Sequence, residues 1–345
     1  MKKSDKYNVV CLVVCIVLLF FALLLGIMKE YSPYLLAGFS LVGLAVCYFI
    51  HFALHEVGHL IFAKIAKMKC IYFEISGFAV DKTSKQTKYY HRYSPEGGEI
   101  AVYGKTPENS GKGLTLTAFG GLLFSAIFIF LCLFFGLFFD NVYCFSILFV
   151  GSCSSIFVLL INLNPFSVDS DGVTVFFRKS ETYKERVKCQ EIFTRLVLGE
   201  DITQMNPDLF VGNGAEIKAY IALRKTCLND IEEAKAVYDE ILEDKINSTA
   251  TIFEERFYIA LILKDEEYID KNCEMATAYL SLEDSPASFR IQAALRDYRG
   301  DKQWSNLLRA SAKKALDNYL VKGMVIVEQK LNALYFGEEQ QIENA

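Results

Sequence analysis

Long apolar segments dominate the first half of the chain. Residues 9–28, 114–139 and 142–163 each reach the roughly 20 residues that a helix needs to cross the hydrocarbon core of a bilayer. Residues 34–63 form a fourth long apolar segment, which a few polar and ionisable side chains interrupt. The pattern therefore predicts four membrane-spanning helices and an α-helical multi-pass membrane protein.

The second half of the chain alternates helical segments with polar turns. Its predicted helices cover residues 215–243, 251–264 and 288–318. The sequence Tyr-Ile-Ala-Leu at 220–223 returns 38 residues later, and a looser copy follows after a further 34 residues. Tetratricopeptide repeats have a period of about 34 residues. We therefore predict an all-α, tetratricopeptide-like soluble domain over residues 180–345, with an irregular helical bundle as the alternative.

Basic residues are distributed unevenly among the predicted loops. Three lysines precede the first span, and nine Lys or Arg residues lie between the second and third spans. Lys29 is the one basic residue between the first two spans, and the link between the last two contains Asp140 and no basic residue. Because cytoplasmic loops collect positive charge, this pattern predicts a cell-membrane protein whose N- and C-termini are both cytoplasmic.

Charge also restricts the partners of the C-terminal domain. Residues 181–345 contain 21 basic and 30 acidic side chains, and the whole chain has a net charge of −5. Nucleic-acid binding needs clustered Lys and Arg, so nucleic acid is excluded as a partner. We expect this domain to bind a protein partner or to present a substrate.

The polar residues in the second span include the sequence His55-Glu56-Val57-Gly58-His59. On a helix, side chains four residues apart share a face, so both imidazoles can reach one metal ion. Glu56 is next to the first imidazole, where a carboxylate can accept a proton from a metal-activated water. Ionisable residues are costly inside a bilayer and usually have a function, which favours a metal site over coincidence. His51 shares this helix face as either a partner of the site or a structural polar residue.

Catalytic zinc usually has three protein ligands, so a third must come from another segment. The fourth span ends with Asn162, Pro165, Asp169, Asp171 and Gly172. The predicted orientation places this end at the same depth as the histidine pair, toward the cytoplasmic side. Either carboxylate is a candidate ligand, although a helix-terminating turn would also explain the segment.

Together these motifs resemble the site-2 protease family of intramembrane zinc metalloproteases. The resemblance implies that His55, His59 and Asp171 bind Zn²⁺, that Glu56 is the catalytic base, and that Asn162 contacts the substrate. In that family the aspartate follows the proline by five residues. Here Asp169 follows by four and Asp171 by six; we choose Asp171 because Gly172 follows it, and Asp169 remains the alternative.

Two further segments are similar to the same family. Residues 118–125, Ala-Phe-Gly-Gly-Leu-Leu-Phe-Ser, provide the small side chains that allow close helix packing in a membrane. Residues 71–75 and 99–103 are β-prone, and in the family this position is occupied by a β-hairpin that enters the membrane beside the zinc. An edge strand there could hold an unwound substrate by main-chain hydrogen bonds, whereas the alternative is an ordinary cytoplasmic loop.

These observations lead to one principal hypothesis and one rival. The principal hypothesis is an extra N-terminal span at 1–33, a three-span zinc protease core at 34–179 and a cytoplasmic helical domain at 180–345. Such a protein would be a zinc-dependent intramembrane endopeptidase that cleaves membrane-anchored proteins or peptides. The rival is a membrane-anchored helical-repeat adaptor with a structural or inactive metal site. Glu56 favours the enzyme, because metal binding alone does not need it.

The motif predicts about one zinc ion per purified chain, since it provides one set of three ligands. Substituting either imidazole, as His55→Ala or His59→Ala, should remove the metal, as measured by elemental analysis of the purified protein. Full zinc occupancy in both variants would show that the site has been wrongly assigned.

Overall fold

The computed structural model describes residues 3–75, 77–91, 98–167, 170–243, 249–281 and 284–337. The chain forms two compact units. The first consists of residues 1–82 and 87–190, and the second of residues 83–86 and 191–345. The boundary between the two units, after residue 190, lies inside a helix. It lies about ten residues beyond the predicted start of the soluble domain. The three-part domain organisation stays a prediction.

The first unit contains four helical segments that are long and apolar enough to cross a membrane, as predicted. The first two are α1 (Lys3–Met28) and α2 (Pro33–Ile65), and the third is α3 (Ser110–Phe138), which a short 3-10 turn precedes. Apolar side chains cover most of the surfaces of these helices; Phe130, for example, is 65% exposed. Such a surface suits contact with lipid rather than with water.

The fourth span is not a continuous α-helix. It consists of α4 (Val142–Cys144), a π-helical segment (Phe145–Val150) and α5 (Ser152–Asn162). Two of its serines bond to the backbone of α2: Ser154 Oγ donates to Leu44 O at 2.8 Å, and Ser155 Oγ donates to Cys47 O at 3.2 Å. In a bilayer such bonds satisfy polar groups that would otherwise lack partners.

Glycines bring α2 and α3 into backbone contact. A Cβ atom on Gly58 would lie 2.5 Å from the carbonyl oxygen of Gly120, and one on Gly120 would lie 2.4 Å from that of Gly58. Neither position therefore has room for a side chain. The predicted role of the small residues at 118–125, close helix packing, agrees with this contact.

A four-stranded antiparallel sheet lies between α2 and α3 in the chain, with strand order β3-β2-β1-β4. The strands are β1 (Lys69–Ile75), β2 (Phe78–Asp81), β3 (Lys88–His91) and β4 (Gly98–Tyr103). The two β-prone stretches of the sequence are β1 and β4, which pair directly with Phe73 opposite Ile100. β1 and β4 are thus not consecutive strands of a hairpin but neighbours in a four-stranded sheet, and the membrane-associated β-hairpin remains a prediction.

After the fourth span the first unit ends in a short helix and the start of a longer one. These are α6 (Asp171–Phe176) and α7 (Glu181–Leu198). Gln190 on α7 donates from Nε2 to Val102 O at 2.6 Å, so α7 is attached to strand β4.

The second unit is mainly helical in its described residues. Its helices are α8 (Ala215–Cys227), α9 (Ile231–Glu243), α10 (Ala250–Leu263), α11 (Glu266–Leu280), α12 (Pro286–Tyr298), α13 (Lys302–Asp317) and α14 (Lys322–Phe336). Consecutive helices pack in pairs, and the pairs begin at Ala215, Ala250 and Pro286. The tetratricopeptide-like character of these pairs remains a prediction.

Two of the helices predicted in this unit are each divided into two shorter helices, so the predictions of continuous helices are wrong. The helix predicted over 215–243 is divided into α8 and α9, and that over 288–318 into α12 and α13. Asn229 (φ 67°) and Gly300 (φ 81°) adopt left-handed backbone conformations at the breaks. Gly and Asn tolerate this conformation better than other residues, and it ends an α-helix.

A buried ion cluster lies inside the second unit. The Arg290 side chain is fully buried, and its Nη2 atom donates to Glu255 Oε1 at 2.6 Å while its Nε atom donates to Glu328 Oε2 at 2.7 Å. The guanidinium also lies 4.1 Å from the ring centroid of Tyr258. These bonds join α12 to α10 and α14 through one cation.

Replacing this cation should destabilise the second unit. Arg290→Met would leave two buried carboxylates unpaired, which typically costs about 3–5 kcal/mol of unfolding free energy. Trp304, the only tryptophan of the chain, lies on α13, so its fluorescence during denaturant unfolding of the detergent-solubilised full chain reports on this unit.

The matched control is Lys218→Met, which breaks the more exposed pair with Glu240. Its effect should stay below about 1 kcal/mol, as for most surface ion pairs. Equal midpoints for the two variants would contradict the stabilising role of the buried cluster.

Candidate metal centre

Three ligand-type atoms meet where α2, α3 and α6 come together. His55 Nε2 and His59 Nε2 are 3.0 Å apart. Asp171 Oδ2 lies 3.1 Å from His55 Nε2 and 3.2 Å from His59 Nε2. All three residues are buried. The structure thus brings together the three residues that the sequence suggested as zinc ligands.

The separations between the three atoms of this triangle are close to those expected for three ligands of a tetrahedral zinc ion. Ligand atoms bound to one tetrahedral zinc at about 2.0–2.1 Å lie about 3.3 Å from each other. The three separations of 3.0–3.2 Å are close to that value. Two nitrogens and one carboxylate oxygen also match the donor set of catalytic zinc sites, which leave the fourth position open. The residues therefore fit a zinc ion.

Helical geometry places the two imidazoles side by side, and hydrogen bonds fix their rings. Both residues lie on α2, four positions apart, and so share one face. His59 Nδ1 is 2.9 Å from Thr117 O, and His55 Nδ1 is 2.8 Å from Ser125 Oγ. These bonds are made by the ring nitrogens that face away from the triangle, which leaves both Nε2 atoms for a metal.

Asp171 reaches the histidines from the first turn of α6. Ser170 caps this helix: its Oγ accepts a hydrogen bond from Gly172 N at 3.1 Å and donates one to Asn162 O at 2.6 Å. Arg186 on α7 donates from Nη1 to Ser170 O at 3.0 Å. The backbone just before the carboxylate is therefore held from two sides.

Gly172, the residue on which the choice of Asp171 is based, lies within the first turn of α6. A Cβ atom there would be 2.7 Å from both the Cα and the carbonyl oxygen of Leu163. Gly172 is thus required for close backbone approach between α6 and the end of the fourth span.

The electrostatics of the site favour an ionised carboxylate. Burial raises the pKa of Asp171, but the neighbouring His59 and His55 side chains lower it more strongly, so its pKa lies below the ordinary value. An ionised carboxylate is the form that binds a metal cation.

The remaining candidate residues are Glu56, Asn162 and Asp169. Glu56 is buried on α2, 6% exposed, immediately after His55. Asn162 is half-buried at the end of α5, where its main-chain oxygen accepts the bond from Ser170. Asp169, the alternative ligand, lies outside the described residues. The roles of Glu56 and Asn162 stay predictions.

Sequence reasoning missed Gly121 as a residue of the site. A Cβ atom at this position would lie 2.3 Å from Cε1 and 2.6 Å from Nε2 of His59, and 2.9 Å from Cε1 of His55. The residue was grouped with other small residues for helix packing, and its sequence context carries no signal that separates it from Gly120. Only the three-dimensional contact identifies it.

Comparison with known proteins agrees with this site. The family model described as peptidase family M50 matches residues 43–253, which is more than half of the chain and includes all three members of the triangle. No curated protein and no solved structure matches the chain significantly.

A methyl group at Gly121 should weaken metal binding. Gly121→Ala would place a carbon in the space that both imidazoles use, so the rings would have to turn away from the triangle. We expect at least a tenfold loss of zinc affinity, the lower end of the effect of disturbing ligand orientation, about 10–100-fold. Competition with a chelator of known affinity measures it.

The control is Gly38→Ala on α2, where an added Cβ meets no atom within 4 Å. This variant should bind zinc as the unmodified protein does. If Gly121→Ala also keeps full affinity, the packing of α3 against the imidazoles is not what the structure indicates.

Proposed function

Because this chain belongs to peptidase family M50, the site-2 protease family, we propose that it is an intramembrane zinc endopeptidase. Its substrates in this proposal are membrane-anchored proteins or peptides, cut within or near the bilayer. Family membership implies a zinc metalloprotease. The observation that carries the proposal is a buried triangle in which two imidazoles from a helix apolar enough to span a membrane meet the Asp171 carboxylate of α6.

The proposed roles follow from the chemistry of each side chain. His55, His59 and Asp171 hold the zinc ion, and Glu56 is the general base. When bound, zinc polarises the scissile carbonyl and lowers the pKa of a water molecule to about 7. Glu56 removes a proton from the attacking water molecule while the oxygen of that water bonds to the carbonyl carbon. Glu56 then gives that proton to the amide nitrogen as the carbon–nitrogen bond breaks.

A helical substrate must unwind before its peptide bond is accessible, since helix hydrogen bonds shield it. Strand β4 lies at one edge of the sheet and follows directly on β1 in the strand order. We propose that the unwound substrate adds to this edge by main-chain hydrogen bonds. Asn162, at the end of α5, is proposed to contact the substrate backbone.

The placement in the cell is also a proposal. The chain is a membrane protein, and the distribution of Lys and Arg supports cytoplasmic N- and C-termini at the cell membrane. The second unit would then be cytoplasmic, where its helix pairs could bind a protein partner. The rival adaptor hypothesis gains no support from the family match.

Glu56→Gln tests the enzyme directly. Glutamine keeps the size of the side chain but removes the basic carboxylate, so proteolysis should fall by about 10²–10⁴-fold, as is typical for loss of a general base. Zinc content should stay unchanged, because Glu56 is not one of the three ligands. The measurement is cleavage of co-expressed membrane peptides, combined with metal analysis of the same preparations.

Comparison of membrane proteomes from cells with either form identifies substrates as proteins that accumulate with Glu56→Gln. A variant that binds zinc and still cleaves at the original rate would refute the role of Glu56. Loss of zinc in this variant would show instead that Glu56 belongs to the metal-binding set.

A further inference from the structure

A chain of three buried polar side chains extends from the candidate metal site into the helix bundle. His55 Nδ1 is 2.8 Å from Ser125 Oγ, and Ser125 Oγ is 3.2 Å from His51 Nε2. Ser125 and His51 are completely buried, and His55 is 4% exposed. We propose that Ser125 and His51 are positioning residues that fix the tautomer and ring orientation of His55 as a zinc ligand. This inference rests on the proposed function.

The hydrogen-bond directions follow from the requirements of a metal ligand. An imidazole that binds a metal through Nε2 is neutral and carries its hydrogen on Nδ1. His55 Nδ1–H therefore donates to Ser125 Oγ. The serine hydroxyl is then free to donate its own hydrogen to His51 Nε2. The serine thereby selects the Nδ1–H tautomer of His55, and His51 Nε2 orients the serine hydroxyl.

The surroundings of His51 distinguish it from an ordinary polar residue of the core. Its Nδ1 atom is buried and has no hydrogen-bond partner in the described part of the chain. A buried histidine with only a packing role would be expected to satisfy both ring nitrogens. Here the bond to Ser125 is the interaction that explains a polar ring at this position.

Aromatic neighbours hold the His51 ring in place. The rings of His51 and His55 are nearly parallel, 13° apart, with centroids separated by 6.1 Å. Phe52 and Phe128 approach the His51 ring edge-on at 6.4 and 6.2 Å. The acceptor nitrogen is thereby kept in a fixed direction, as a positioning role requires.

The two imidazoles differ in how they are supported. His59 Nδ1–H donates to the main-chain oxygen of Thr117, which no substitution at Thr117 removes. His55 depends instead on a side chain. Ser125 is four residues after Gly121 on α3 and so lies on the same helix face, next in line along the metal site. The support of His55 can therefore be tested by mutation.

The test measures zinc affinity in detergent-solubilised full-length protein by competition with a chelator. Ser125→Ala removes the hydroxyl that accepts the hydrogen bond from His55. His51→Asn removes the nitrogen that accepts from Ser125, because the asparagine amide lies near the position of Nδ1 and does not reach that of Nε2. Both should weaken zinc binding by about 10–100-fold, the usual effect of losing an outer partner of a metal ligand. His51→Gln places an amide oxygen near the position of Nε2, so it should restore most of the affinity.

Three further measurements separate positioning from general packing. The double variant Ser125→Ala/His51→Asn should bind zinc no more weakly than Ser125→Ala, because His51 acts through the serine. The visible spectrum of the Co²⁺-loaded protein should change in both single variants, since it reports on ligand geometry. Ser155→Ala, which removes another buried serine hydroxyl on the fourth span that bonds to Cys47 O, should leave both properties unchanged.

The possible outcomes separate failure of this inference from failure of the proposed function. Unchanged affinity in Ser125→Ala, independent effects in the double variant, or an equal loss in Ser155→Ala would overturn this inference while leaving the zinc site in place. Equal affinities for His51→Gln and His51→Asn would also overturn it. Failure of the unmodified protein to bind zinc would instead overturn the proposed function.

Discussion

The contact between Gly58 and Gly120 is the constraint on which the candidate site depends. Any side chain at either position would meet the backbone of the opposite helix, so the separation of α2 and α3 is set by the absence of two Cβ atoms. That separation decides whether Thr117 and Ser125 on α3 can reach the outer nitrogens of the two imidazoles on α2. Without those bonds, each ring could rotate about its side-chain torsions and the two Nε2 atoms would no longer converge.

The same contact solves a problem of solvation. Imidazoles and carboxylates inside an apolar bundle are removed from bulk water, and each unsatisfied polar group costs free energy. Close packing allows main-chain and hydroxyl oxygens to replace water around the histidines, while Asp171 enters from a segment that Ser170 and Arg186 hold outside the spans. The polar residues of the site are thus solvated by the protein itself, apart from the positions that a metal and a substrate would use.

The sequence predicted the parts of this arrangement that depend on local periodicity. Four apolar segments, the shared face of His55 and His59, and the strand-forming stretches of β1 and β4 all follow from the residues in one short window. Contacts between distant segments could not be read in this way. The use of Ser125 as a partner of His55, the fit of Gly172 against Leu163 and the anchoring of Ser170 by Arg186 join residues whose proximity only the fold creates. The breaks at Asn229 and Gly300 were missed, although both residues tolerate the left-handed conformation that ends a helix.

The π-helical segment of the fourth span shows how a membrane helix can accommodate a change in its length. One residue inserted into a regular α-helix rotates everything after it by about 100°, which would turn α5, and the segment that leads to Asp171, away from α2. A π-helical turn absorbs one additional residue locally. Cys47 on α2 donates from Sγ to Ile147 O at 3.2 Å, and a Cβ on Gly43 would lie 2.7 Å from that same oxygen, so α2 fits closely around the widened turn. Insertions and deletions should therefore have unequal effects along this span: one residue gained or lost within 145–150 changes the local winding, whereas the same event within α5 would alter which face of the helix meets α2.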